Sequence, residues 1–148
     1  MGTTEPTPSL LYAVKRLELI IRAHLDEMLT HSGVTTLQYT ALTVLEHRDG
    51  ISAAQLARDS FVTPQAMADM LRALEQRRLI SRSANPASRR ERLVYLTLEG
   101  RQLLADYASS AESIAQQMIS SLTPHEAAVF RRSLASAWAA LNGPLHCG

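Results

Sequence analysis

Apolar residues recur at Leu10, Val14, Leu17, Ile21 and Met28, with His24 in the same register. This alternating 4–3 spacing predicts a helix over residues 9 to about 30 with a heptad seam along one side. Leu11, Leu25 and Leu29 widen the stripe, so the helix is too apolar to stand alone. His31-Ser32-Gly33-Val34 ends it, and Thr35 or Thr36 caps a second helix through His47 that buries Leu37, Ala41, Leu42 and Leu45. After an Arg48-Asp49-Gly50 turn, Ser52 caps a short helix through Asp59 that buries Leu56 and Ala57. Ser60-Phe61-Val62 then leads to Thr63 as N-cap and Pro64 as first helical residue, a strong start signal. The core stripe of this fourth helix is Met67, Met70, Leu71 and Leu74.

Past Leu79-Ile80 the period changes. Extended runs over 80–84 and 92–96, separated by Asn85-Pro86, predict a hairpin with Ser88-Arg89-Arg90 at its tip. Thr97 caps a long helix to about residue 121 with Leu104, Tyr107, Ala111, Ile114, Met118 and Leu122 as its stripe. Thr123-Pro124-His125-Glu126 is a capping box opening a last helix that carries Phe130, Leu134, Trp138 and Leu141 and stops at Asn142-Gly143-Pro144. The expected fold is mainly α with a small β-hairpin wing. Residues 33–97 form a winged helix–turn–helix domain, and 9–32 with 98–142 supply dimerisation helices. Residues 1–8 are a flexible lead and 143–148 a tail. Two helices longer than about twenty residues carry stripes that one chain can cover only in part, so homodimerisation is the economical arrangement.

With 148 residues and 46% apolar content the chain can build one core. No apolar run is long enough to cross a membrane, and MGTTEPTPS lacks the pattern of a secretory signal, so a cytoplasmic location without membrane association is expected. The lone Cys147 excludes an internal disulfide. A net charge of +1 says little, but its distribution says more. Between Arg72 and Arg92 seven arginines (Arg72, Arg77, Arg78, Arg82, Arg89, Arg90, Arg92) meet two acids (Glu75, Glu91), a net +5 that leaves −4 for the remainder. Charge gathered on a helix and the hairpin after it suits a surface that tracks phosphates.

With the fourth helix's apolar stripe inward, Gln65, Asp69, Arg72 and Gln76 face out together at spacings of 4, 3 and 4. Gln suits adenine, Asp can accept from cytosine N4, and Arg suits guanine. Asp69 either reads a base or pairs with Arg72 to orient it, and the pairing is the preferred reading. An exposed arginine face alone is more often an ordinary solvated one; the basic hairpin directly after it shifts the balance toward double-stranded DNA.

Three segments, LQYTALTVLEHRDGISAAQLAR, FVTPQAMADMLRALEQRRLISR and NPASRRERLVYLTLEG, resemble MarR-family winged helix–turn–helix regulators in the family's order, over roughly residues 10–142. The resemblance implies a homodimer on a pseudo-palindromic operator, repressing by family precedent and released by a small ligand. It places major-groove and adjacent phosphate contacts on Thr63, Gln65, Ala66, Asp69 and Arg72, and wing contacts on Arg89, Arg90 and Arg92. Ser52, Pro64, Arg78 and Ser88 complete the candidate set. Two positions depart from the family pattern. Ser88 replaces the acid that precedes the double Arg, and Arg78 stands where glycine is favoured before Leu79, a conformational cost that a phosphate contact would offset.

The resemblance also implies a pocket for a small aromatic or phenolic ligand, with Arg16, Ile20, His24, Tyr39 and Tyr107 as candidates. A histidine on an apolar stripe is more commonly a satisfied core or interface residue, and the tyrosines more commonly packing residues. Peroxide sensing through a first-helix cysteine is not expected, because Cys147 lies in the tail. Scattered histidines without ligand spacing predict no metal site, no cofactor is implied, and no nucleophile or paired-carboxylate pattern suggests an enzyme. The rival from another class is a winged-helix protein-interaction module without specific DNA binding.

Overall fold

The structure, a computed structural model, describes residues 6–142. The lead through residue 5, the Gly143-Pro144 stop and Cys147 with the rest of the 143–148 tail lie outside the described residues. In chain order the elements are α1 (Leu10–Met28), α2 (Thr36–His47), β1 (Ile51–Ser52), α3 (Ala53–Asp59), α4 (Pro64–Gln76), β2 (Ile80–Asn85), β3 (Ser88–Leu96), α5 (Leu98–Met118) and α6 (Pro124–Leu141).

Hydroxyls start the helices. Ser9, Thr35, Ser52, Thr63 and Thr123 each accept a hydrogen bond from a backbone N–H three residues on, at 3.1–3.2 Å. Thr97 Oγ1 accepts likewise from Gly100 N at 3.0 Å at the head of α5. Each such cap contributes about 1 kcal/mol. Thr35 and Thr123 are full capping boxes, closed by Gln38 and Glu126.

Among the described residues, those through Ala111 form one compact unit and those from Glu112 a second. In the first, the core gathers Ala41, Leu42 and Leu45 of α2, Leu56 of α3, Met67, Leu71 and Leu74 of α4, and Val94 of β3, all essentially inaccessible. Leu37, expected inside, is 47% exposed, while Tyr39 is in the core. Leu37 is the second residue of α2, one turn beyond Ala41 and past the edge of that core. Met70 is only partly buried. α1 has no fully buried residue and leaves Leu10 and Leu11 79% exposed. In the second unit α6 likewise buries none and exposes Leu134, Trp138 and Leu141. Leu122, expected on the α5 stripe, lies in the connector after that helix ends at Met118.

The sheet is antiparallel in the order β1-β3-β2. β1 is a strand that apolar periodicity does not predict: Ile51 and Ser52 pair with Val94 and Leu93, extended by Gly50 N donating to Val94 O at 3.0 Å. The wing corrects the expected hairpin. Pro86 and Ala87 make the turn, so Ser88, Arg89 and Arg90 belong to β3 and not to its tip. The Asn85 side chain accepts from Ala87 N at 2.9 Å and closes the turn over Pro86 and Ala87. Ala84 pairs with Arg92 and Asn85 with Ser88, so Arg89, Arg90 and Glu91 form a bulge on β3.

Both helices of the helix–turn–helix end in paired 6→1 and 5→2 hydrogen bonds. After α3, Val62 N donates to Ala57 O (3.1 Å) and Phe61 N to Arg58 O (3.3 Å). After α4, Leu79 N donates to Leu74 O (3.0 Å) and Arg78 N to Glu75 O (2.9 Å). This closure needs a left-handed residue, ordinarily glycine. Here Phe61 (φ 59°) and Arg78 (φ 58°) take it, each at a cost of about 1 kcal/mol. Beside Phe61, the buried Ser60 hydroxyl has no hydrogen-bond partner, a further cost of about 1–3 kcal/mol.

Candidate nucleic-acid interface

The fourth helix presents the face its pattern predicts. Met67, Leu71 and Leu74 are buried, and Gln65, Asp69, Arg72 and Gln76 are exposed. Asp69 and Arg72 form an ion pair one turn apart. Both side chains are well exposed, so the pair adds little stability; its effect is to hold the guanidinium in one orientation. At the helix start, Pro64 has no N–H, Thr63 Oγ1 accepts from Ala66 N, and Thr63 O accepts from Met67 N. Gln65 N is then the first-turn amide without a partner among the described residues, at the positive end of the helix dipole.

The wing is tied to this helix by a contact that spacing could not reveal. Arg82 Nε, on β2, donates to Glu75 Oε2 at 2.8 Å. The hydrogen bond from Arg82 outweighs the opposing effect of desolvation and, with lesser help from the charges of Arg82 and Arg92, holds the Glu75 carboxyl below the usual range. Arg92 Nη2 donates to Arg82 O at 3.2 Å, bracing β3 against β2.

The seven arginines thus divide. Arg82 and Arg92 are engaged within the wing root, Arg72 with Asp69, and Arg77 with Ser32 O at 3.2 Å. Among the described residues, Arg78, Arg89 and Arg90 are exposed and form no ion pair. The β3 bulge carries the last two, and Glu91 beside them receives Asn85 Nδ2 at 3.4 Å. Ser52 and Ser88 have hydroxyls that already accept, from Gln55 N (3.1 Å) and Arg90 N (3.4 Å), which leaves each hydroxyl proton available.

The five ligand candidates are not all brought together. Arg16 and Ile20 line one open groove of about 660 Å³ on α1, together with Pro8, Ala13, Leu17 and Leu19. His24 is half-buried farther along α1. Tyr39 belongs to the core, where burial and then the charge of Glu46 raise its phenol above the ordinary value, and Tyr107 packs against that core from α5. Among the described residues no group of three or more His, Cys, Asp or Glu is placed to hold a metal, and no helix is long and apolar enough to cross a membrane.

Comparison with known proteins agrees with this geometry. The MarR family model matches residues 34–91, from the start of the segment leading into α2 to the bulge of β3. The HTH-type transcriptional repressor Rv2887 of Mycobacterium tuberculosis is 31% identical over 134 residues, covering 90% of this chain and 96% of that protein. Staphylococcus aureus MepR, solved in complex with DNA, superposes with a TM-score of 0.79 at 21% identity over 90% of this chain and 99% of its own. Bordetella bronchiseptica BpsR, whose DNA binding is regulated by 6-hydroxynicotinic acid, gives 0.78 at 24% identity over 88% and 98%. The two structures share the fold, and the near full-length relative settles the kinship: this chain belongs to the MarR family.

Proposed function

We propose that the protein is a homodimeric transcriptional repressor acting in the cytoplasm on a pseudo-palindromic operator. One observation carries the reading: the Glu75–Arg82 tie fixes the wing to α4, while Arg89 and Arg90 stay free on its bulge beside an exposed, polar helix face. α4 enters the major groove with Thr63, Gln65 and Ala66 leading. Asp69 orients Arg72 toward a guanine, and Arg78 meets a phosphate at the far end. Arg89 and Arg90 reach the flanking minor groove, with Arg92 at its edge, and the Ser52 and Ser88 hydroxyl protons serve phosphates. The repressor Rv2887 supports the sign of regulation. No catalytic role is proposed.

The apolar side chains that α1 and α6 each leave in water supply the surfaces a second copy would cover. A small aromatic acid or phenol binding at the α1 groove, with Arg16 as counter-charge and Ile20 as wall, would release DNA by favouring a different spacing of the two reading heads. BpsR, regulated by a hydroxylated aromatic acid, supports that ligand class. Hydroxyl-radical footprinting on the DNA upstream of the protein's own gene tests the reading. Two protected backbone segments about one helical turn apart are expected, with guanine N7 within each half-site shielded from methylation by dimethyl sulfate. An unprotected duplex under conditions where the protein is folded and dimeric would point instead to a protein-docking role.

A further inference from the structure

Among the described residues 38–97, Phe61 is the only large apolar side chain left exposed, at 78%. It occupies the left-handed closing position of α3, where a ring brings no folding advantage over glycine, and follows a buried Ser60 hydroxyl without a partner. An isolated exposed apolar residue is ordinarily unremarkable. An isolated one that stands mostly in water on an unfavourable backbone is different. Its place limits what it can meet. Phe61 lies two residues before Thr63, the N-cap of the helix whose first turn carries the free Gln65 amide and the exposed Gln65 side chain. In the reading proposed above, on which this inference rests, that end of the helix faces base edges.

We propose that Phe61 is a specificity-determining DNA contact, its ring packing on the C5-methyl group of a thymine at the margin of each half-site. The ring has no donor, acceptor or charge, so it cannot read hydrogen-bonding edges or neutralise a phosphate. The thymine methyl is the apolar feature that the major groove offers. A protein partner fits less well, because a docking surface needs contiguous apolar area and residues 38–97 expose no second large apolar side chain.

The test begins by selecting a duplex from a randomised library with the wild-type protein. The selected half-site is expected to fix one thymine at its margin. Replacing that thymine with uracil removes only the methyl group and should weaken wild-type binding about fourfold. Phe61→Gly removes the ring while relieving the backbone, so its thermal midpoint should stay the same or rise. Its affinity for the selected duplex should fall about tenfold with the salt dependence unchanged, and it should no longer distinguish thymine from uracil. Equal binding of thymine and uracil duplexes by the wild-type protein overturns the proposal without any variant. So does a Phe61→Gly variant that keeps the thymine preference, or one whose loss of binding follows from dissociation of the dimer in sedimentation. A wild-type protein that selects no sequence at all overturns the underlying regulator reading instead.

Discussion

Thr97 Oγ1 donates to Arg78 O at 2.6 Å, joining the residue that closes the recognition helix to the residue that starts α5. The same hydroxyl accepts from Gly100 N at 3.0 Å, and Thr97 N donates to Leu79 O at 3.2 Å. One of these bonds holds the left-handed arginine directly, and the other two fix the threonine to Leu79 and to the head of α5. Replacing Arg78 with glycine should relieve the backbone and stabilise the fold by about 1 kcal/mol in urea unfolding. In the proposed reading the same change removes a phosphate-facing cation, so the slope of log affinity against log salt should fall by about 1. A stability gain without a change in slope would place Arg78 away from the phosphates.

Gly100 is needed for close approach and not for its φ. A Cβ there would penetrate Leu79 O and press on Leu96 Cδ1. Gly100→Ala should therefore destabilise by about 1–3 kcal/mol, although alanine is the better helix former, because the Leu79 backbone and α5 must separate to admit the methyl group. An unfolding midpoint at or above wild type would show that the contact relaxes freely.

The Glu75 carboxyl is held below its ordinary range by Arg82, which sets the sign of a pH effect. A group with a depressed folded-state pKa stabilises fully above its unfolded value, about 4.3, and loses that contribution as pH falls through the folded value. Both partners are partly exposed, so the contribution is below about 1 kcal/mol. Glu75→Gln should be less stable than wild type at neutral pH, with the difference shrinking under acid below about pH 4. Because the tie aims the wing, the variant should also lose operator affinity at pH 7. Identical affinities would mean that the wing needs no such anchor.

On α6, Leu134, Trp138 and Leu141 are exposed at 44%, 56% and 81% in one protomer. A second copy covering them would make Trp138 an anchor of the kind whose truncation weakens an interface by about 2 kcal/mol or more. Trp138→Ala should raise the dimer dissociation constant at least about thirtyfold in sedimentation experiments. A dimer of unchanged affinity would place the interface elsewhere.

How much of this was legible in the sequence depended on the range over which each feature is encoded. Thr63-Pro64 and the Thr123–Glu126 box announced their helices because a cap acts over three residues, and Met67, Leu71 and Leu74 marked the core side of α4 because a helical period repeats. The Asp69–Arg72 pair was legible for the same reason. β1 was not, since two residues hold no period and exist as a strand only through Val94 and Leu93 of β3. The bulge that carries Arg89 and Arg90 depends on the Asn85 side chain closing the turn one residue later than its Asn-Pro pair suggests. Glu75 and Arg82 lie on different elements, and nothing in the chain between them signals that they meet. Phe61 reads as an ordinary turn residue until its backbone is seen to be left-handed.

The central claim is that the basic wing binds DNA while α4 reads it. The most direct test is binding to a duplex from the protein's own upstream region across a salt series, comparing wild type with Arg89→Ala/Arg90→Ala. Wild-type affinity should fall steeply with salt, and the double variant should bind more weakly with a slope smaller by about 2, one for each lost phosphate-side contact. Equal affinity and equal slope for the two proteins would contradict the account, because the free arginines on the wing would then be bystanders.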